Sequence, residues 1–188
     1  MPFERGFKTR CENISESIRR DMGLRPSEPL PMEELARYLN VRLLEPRAIP
    51  GMSEFSLRTL LQDDTGDWSA LTISENGTVL VIYNPQHSIR RRSSDLAHEF
   101  SHLILRHAPS TMMFAPDGTW TLRSFNDQQE DEASWLSGCL LLPRPAVFHI
   151  AKRVRDPEQA ASMYVVSTQL LRYRTNTTGV SRQLGAGR

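Results

Sequence analysis

The segment SSDLAHEFSHLILRH, residues 93–107, constrains the fold most strongly, because as a helix it can bury only one of its sides. Spaced at about 100° per residue, four apolar side chains share that side: Leu96, Phe100, Leu103 and Ile104. His98 and His102 lie on the opposite side, about 40° apart and one turn from each other. The segment therefore predicts an amphipathic helix, capped by Ser93 or Ser94, that packs its apolar side on a core and exposes two imidazoles.

The order of residues between these histidines matches a known metal-binding pattern. Glu99 follows His98 directly, which completes HExxH, the pattern of two histidine ligands and a glutamate general base. Glu99 lies about 100° from His98, beside the pair but too far round to complete the same chelate. Coincidence is the alternative, but only five histidines occur in 188 residues. The segment thus predicts metal ligands at His98 and His102 and a catalytic Glu99.

A third ligand is expected, because a catalytic zinc site generally has three protein ligands and one open position. The segment QQEDEASWLSGCLLLP offers Glu130, Asp131 and Glu132. On a helix, Glu132 shares a stripe with Leu136, Cys139 and Leu140, and a carboxylate on such a stripe is costly to bury unless a cation meets it. Glu132 is therefore the predicted third ligand, with an ion pair to an arginine as the alternative. Zinc is the preferred metal, although two histidines and a glutamate also accept manganese or iron.

The remaining patterns predict an α+β protein. Apolar residues at helical spacing predict helices near residues 11–22 and 32–39, and residues 53–61 could form one or two further turns. VRLLE is a predicted strand, while WSALTI and TVLVIY, joined through Asn76-Gly77, predict an antiparallel pair. The expected sheet is small and antiparallel.

The second half of the chain is predicted to be mostly helical. A loose hairpin around APDG is expected within residues 111–127, before a helix from about Gln128 to Leu142. We expect one domain over residues 1–143, carrying the metal site, and a helical part with a mobile tail over 144–188. EQAASMYVVSTQLLRYR has the helix, turn and Ser-led helix of a helix-turn-helix, but Tyr164 occupies the turn position usually given to glycine. A packed helical pair is therefore favoured over a DNA-binding one.

Composition excludes several classes of protein. A net charge of +1 argues against a broad nucleic-acid-binding surface. No apolar run approaches the roughly 20 residues that cross a bilayer. The N-terminal MPFERGFKTR lacks the apolar segment of a secretory signal, so a cytoplasmic location is expected. Cys11 and Cys139 are expected to be small buried side chains.

Five segments together resemble the ImmA/IrrE family of metallopeptidases: PLPMEELARYLNVRL, TVLVIYNP, RRRSSDLAHEFSHLILRH, EDEASWLSGCLLLPR and YVVSTQLLRYR. The resemblance implies metal ligands at His98, His102 and Glu132 and a catalytic base at Glu99. It also implies a zinc endopeptidase whose substrate is a helix-turn-helix repressor of the phage or mobile-element type, often encoded nearby. Two positions depart from the family pattern: Ser93-Ser94 stands where many members have Arg-Phe, and Ser134 where many have Asn or Asp.

Two other functions are compatible with these residues. One is a DNA-associated regulator with a structural metal, and the other is a toxin–antitoxin or phage component that acts by binding. A glutamate between the histidines counts against a structural site, since closed zinc sites usually use cysteine. A residue that stabilises the oxyanion is not identified, and Tyr83 and His87 are weak candidates for which surface or core roles are favoured.

Overall fold

The computed structural model describes residues 3–61, 68–75, 77–108, 112–114, 120–122 and 126–185. Their helices are α1 (Phe7–Asp21), α2 (Met32–Tyr38), α3 (Glu54–Leu61), α4 (Ile89–Leu105), α5 (Asp127–Leu141), α6 (Arg144–Arg153), α7 (Pro157–Met163), α8 (Thr168–Thr177) and α9 (Val180–Gly185). The strands are β1 (Val41–Leu44), β2 (Ala70–Glu75), β3 (Thr78–Tyr83), β4 (Met112–Phe114) and β5 (Trp120–Leu122). The predicted α+β class is confirmed.

The main sheet has the order β1-β3-β2, and its mixed direction corrects the antiparallel prediction. β2 and β3 form the predicted antiparallel pair, and Gly77 adopts a φ of 78° in the turn between them. β1 instead pairs in parallel with β3, with Val41 opposite Val79. The prediction failed here because the connection from β1, which includes α3, leads to β2 on the far edge of the sheet, and β3 then returns between the two strands in the direction of β1.

β4 and β5 pair in the antiparallel sense, which confirms the predicted hairpin, although the APDG turn lies outside the described residues. None of the helices in the described ranges is long and apolar enough to cross a membrane.

Helix α4 carries the histidines and begins earlier than predicted. Its N-cap is Ser88, whose hydroxyl accepts a hydrogen bond from the Arg91 amide, so Ser93 lies buried inside the helix. The prediction of a Ser93 or Ser94 cap was wrong because the three preceding arginines favour helix and a competent cap stands before them. On the predicted apolar side of α4, Leu96 and Phe100 are buried, while Leu103 and Ile104 are partly buried against the core.

Helix α5 packs against both α4 and α1, and two buried arginines hold its C-terminal end. Arg19 of α1 donates to the carbonyl of Leu140 at 2.6 Å, and Arg174 of α8 donates to that of Leu142 at 2.9 Å. Arg174 also pairs with Glu12 at 2.5 Å. The bonds to Leu140 and Leu142 satisfy carbonyls that the end of a helix leaves without intrahelical partners.

The C-terminal helices share the core with the rest of the chain. Leu136, Val166 and Val180 belong to one cluster of buried residues, although they lie on both sides of the predicted boundary at residue 143. The division into two parts stays a prediction. Between α7 and α8 the positive φ belongs to Val165, at 53°, and not to Tyr164. The helix-turn-helix character of this pair also stays a prediction.

Candidate metal centre

Helix α4 places the two predicted histidine ligands side by side. The Nε2 atoms of His98 and His102 lie 3.1 Å apart, and their ring centroids 4.8 Å apart. Both side chains are partly exposed, at 29 % for His98 and 22 % for His102. The apolar side of α4 is buried, so the imidazoles face outward from the core over the first turns of α5.

The carboxylate next to both imidazoles belongs to Glu130. One of its oxygens lies 3.0 Å from His98 Nε2 and the other 3.5 Å from His102 Nε2. The Asn126 side chain caps α5 by accepting from the amides of Gln128 and Gln129, which places Glu130 in the first turn. Among the described residues, His98, His102 and Glu130 form the one group of three that could hold a metal, with ligand atoms within 4.8 Å of one another.

Glu132, the ligand predicted from the sequence, lies two residues after Glu130 on the same helix. One carboxylate oxygen is 3.3 Å from His107 Nε2, and the other accepts from the Gln128 side chain at 3.0 Å. The role of Glu132 as a metal ligand stays a prediction, and the structure offers Glu130 as a second candidate. The single-stripe argument did not find Glu130 because α5 is buried on several sides, with Ala133 as inaccessible as Leu136.

Helical spacing alone would place His107 on the buried side at the end of α4, but the structure brings it back to the histidine pair. Its Nδ1 lies 2.9 Å from His102 Nδ1. Helix α4 ends at Leu105, and Arg106 adopts a φ of 56°. The His107 amide then donates to the His102 carbonyl, and the Arg106 amide to that of Leu103. This Schellman motif turns the chain back, so helical spacing no longer gives the direction of His107.

The predicted catalytic base, Glu99, is held by a residue of the sheet. The hydroxyl of Thr72 donates a hydrogen bond to the Glu99 carboxylate. Thr72 lies on β2 opposite Val81, which is fully buried, so the two share the side of the sheet near α4. Burial raises the pKa of Glu99, while the Thr72 hydrogen bond acts against that change. Sequence reasoning missed Thr72, and its polar side chain between Leu71 and Ile73 was the available signal.

The donor set suits one divalent cation. Two zinc–nitrogen bonds of about 2.0–2.1 Å at a tetrahedral angle separate their nitrogens by roughly 3.3 Å, close to the 3.1 Å between the two Nε2 atoms. Burial, with the adjacent His98, lowers the pKa of His102 and so favours the neutral imidazole that binds metals. One carboxylate oxygen of Glu130 completes a set of two nitrogens and one oxygen.

The two weak candidates for an oxyanion donor both contact carboxylates. Tyr83 donates to Glu45 at 2.9 Å, and His87 Nδ1 lies 2.7 Å from Asp95. The surface or core roles favoured for both residues stay a prediction.

A family model described as the IrrE N-terminal-like domain of peptidase family M78 matches residues 55–176. The matched range contains the histidine pair, Glu99, Thr72 and both carboxylates of α5. A comparison with curated proteins found no match. Because the family model covers more than half of the chain and includes the whole candidate site, the chain belongs to the ImmA/IrrE family of metallopeptidases.

Proposed function

We propose that the protein is a zinc-dependent endopeptidase whose site lies between α4 and α5. The observation that carries this proposal is the grouping of two imidazole nitrogens with a carboxylate, on the helix that also presents the half-buried Glu99. Imidazole and carboxylate are the ligands of catalytic zinc, and the same set also accepts manganese or iron. The grouping supports hydrolysis rather than a purely structural metal, because structural zinc sites are closed and usually rich in cysteine.

The chemistry divides between the cation and Glu99. A bound divalent cation would supply Lewis-acid assistance, polarising a carbonyl and making water more acidic. Glu99 would accept the proton of the attacking water and deliver it to the leaving amine. The raised pKa of Glu99 suits this role, since a general base works best when its pKa lies near the operating pH. Thr72 would keep the carboxylate turned toward the reacting water.

Helix α5 would contribute the third ligand, and two of its carboxylates are candidates. Glu132 is the ligand predicted from the sequence. Glu130 is supported by its distances of 3.0 Å and 3.5 Å to the two imidazoles. Both lie in the first two turns of the helix, about 200° apart around its axis, so variants of the two residues can be told apart by zinc binding.

Zinc titration of Glu130→Gln and Glu132→Gln will identify the third ligand. The variant that removes the ligand should lose more than about 100-fold in zinc affinity, a larger loss than a residue that only supports a ligand produces. The other variant should lose at most about tenfold. Asp131→Asn, between them on the exposed side of α5, is the matched control. Affinities within a few-fold of wild type for both Gln variants would contradict a carboxylate ligand on α5.

The proposed substrate is a helix-turn-helix repressor, encoded near this chain and cleaved in the cytoplasm. The family membership supports this substrate class, because the resemblance to ImmA/IrrE proteins implies repressor inactivation by cleavage. A discrete cut in the purified repressor, located by mass spectrometry, would identify the bond.

The variant Glu99→Gln tests the mechanism, because it keeps the size and polarity of the side chain but removes the base. Cleavage of the repressor should fall by about 10²–10⁴-fold, the usual contribution of a general base. Zinc affinity should stay within a few-fold of wild type. Undiminished cleavage by Glu99→Gln would remove Glu99 from the mechanism, and cleavage by zinc-free protein would remove the metal.

A further inference from the structure

The contact between His102 and His107 restricts where the protons on both rings can lie. Their Nδ1 atoms are 2.9 Å apart, a hydrogen-bond distance. In a neutral imidazole one nitrogen donates and the other accepts, so one of these Nδ1 atoms must carry a proton and the other must not. The contact therefore selects a tautomer for each ring.

The surroundings of the two Nε2 atoms decide the direction of this hydrogen bond. His102 Nε2 faces His98 Nε2 at 3.1 Å and a Glu130 oxygen at 3.5 Å, inside the proposed metal centre. A nitrogen that binds a cation must present its lone pair, which leaves the His102 proton on Nδ1. His102 then donates to His107 Nδ1. His107 must carry its own proton on Nε2, where Glu132 accepts it at 3.3 Å.

The residues behind His102 are more enclosed than the proposed ligands. The side chain of His107 is 6 % exposed and that of Glu132 15 % exposed, against 22 % for His102. The Gln128 amide donates to the second oxygen of Glu132 at 3.0 Å, which fixes the carboxylate. The backbone bond from the His107 amide to the His102 carbonyl holds the two residues together at the end of α4.

We propose that His107 is a positioning residue, which holds His102 as the Nδ1–H tautomer with Nε2 turned toward the metal centre. Glu132 in turn orients His107. The inference rests on the proposed metal centre and applies with Glu130 or Glu132 as the third ligand, because its central contact joins His102 Nδ1 to His107 Nδ1 and involves neither carboxylate. Hydrogen bonds of this kind orient metal-binding histidines and raise their basicity, and their removal typically costs 10–100-fold in metal affinity.

Three variants separate positioning from simple packing. His107→Leu keeps a side chain of similar size but removes the hydrogen-bond acceptor, so zinc affinity should fall by about 10–100-fold in a chelator competition. His107→Asn places an amide oxygen near the former Nδ1 and should recover most of the affinity. His149→Leu, on the exposed side of α6, is the matched control and should bind zinc like wild type.

Imidazole ¹H–¹⁵N spectra of the metal-free wild-type protein provide a readout independent of zinc and of cleavage. They should show the His102 proton on Nδ1 and the His107 proton on Nε2. The opposite assignment for His102 would overturn the inference, even if His107→Leu failed to fold. Unchanged zinc affinity in a folded His107→Leu would overturn it as well. A wild-type protein that binds no zinc would instead contradict the proposed function, so the two failures are distinguishable.

Discussion

At the scale of single residues, the sequence predicted contacts within one helix but not contacts between elements. The pair His98 and His102 followed from helical spacing, because residues four apart on one helix are neighbours whatever surrounds them. Thr72 did not follow, since its partner Glu99 is 27 residues away in the sequence and on a different element. Helical spacing alone would misplace His107, because one residue with positive φ, Arg106, interrupts that spacing.

Replacing Thr72 by Val should slow catalysis without weakening metal binding. Valine keeps the shape of threonine and suits a strand, but it cannot donate to Glu99. A hydrogen bond to a charged group contributes about 1.5–3 kcal/mol, so kcat/KM should fall at least about tenfold. Steady-state cleavage and zinc titration measure the two quantities. Thr78→Val, at the exposed start of β3, is the control, and equal rates for both variants would refute the role of Thr72.

At the scale of helices and strands, the type of each element was more predictable from the sequence than its first and last residues. Helices α4 and α5 were both predicted from the sequence, and the start of α5 agrees within one residue. The start of α4 was wrong because several residues before it could serve as a cap. The sheet direction was wrong because strand pairing depends on the path of a long connection, which local sequence does not describe.

The end of α4 can be tested through its backbone. Arg106 is exposed and adopts a left-handed conformation, which costs an L-residue about 1–2 kcal/mol, whereas glycine adopts it freely. Arg106→Gly should therefore raise the free energy of unfolding by roughly 0.5–1 kcal/mol, after the entropic cost of glycine. Urea denaturation gives the value. Arg172→Gly, at an exposed position inside α8, should lower it by about 1 kcal/mol, and the same loss in Arg106→Gly would contradict the assigned turn.

The whole molecule is organised around α5, which both ends of the chain hold in place. Arg19 from α1 and Arg174 from α8 donate to the carbonyl groups of Leu140 and Leu142 near its C-terminus. Gly138 permits this approach, because a Cβ atom there would lie 3.2 Å from Arg174 Cδ. The candidate site thus depends on helices far from it in the sequence, since they orient the helix that carries Glu130 and Glu132.

Arg174→Met should destabilise the protein strongly. The substitution keeps much of the volume but leaves the Leu142 carbonyl without its donor and Glu12 without its ion pair, although the Arg144 amide still donates to Glu12. Breaking a buried pair costs about 3–5 kcal/mol, and the 20 % exposure of Glu12 lowers the expectation to about 2–4 kcal/mol. Urea denaturation measures the loss. Arg172→Met, exposed on the same helix, should change stability by less than about 0.5 kcal/mol, and similar values for both would contradict the anchoring role.

The sequence by itself determined the helix, its buried side and the pair of imidazoles on its other side, because these depend on spacing within one element. It also identified the family, which the match over residues 55–176 confirms. Only the tertiary structure decided which groups surround that pair: Thr72 beside Glu99, Glu130 beside the imidazoles and His107 behind His102. The physical reason is that contacts between elements depend on how helices and strands pack and on where each one ends, and these follow from the whole core.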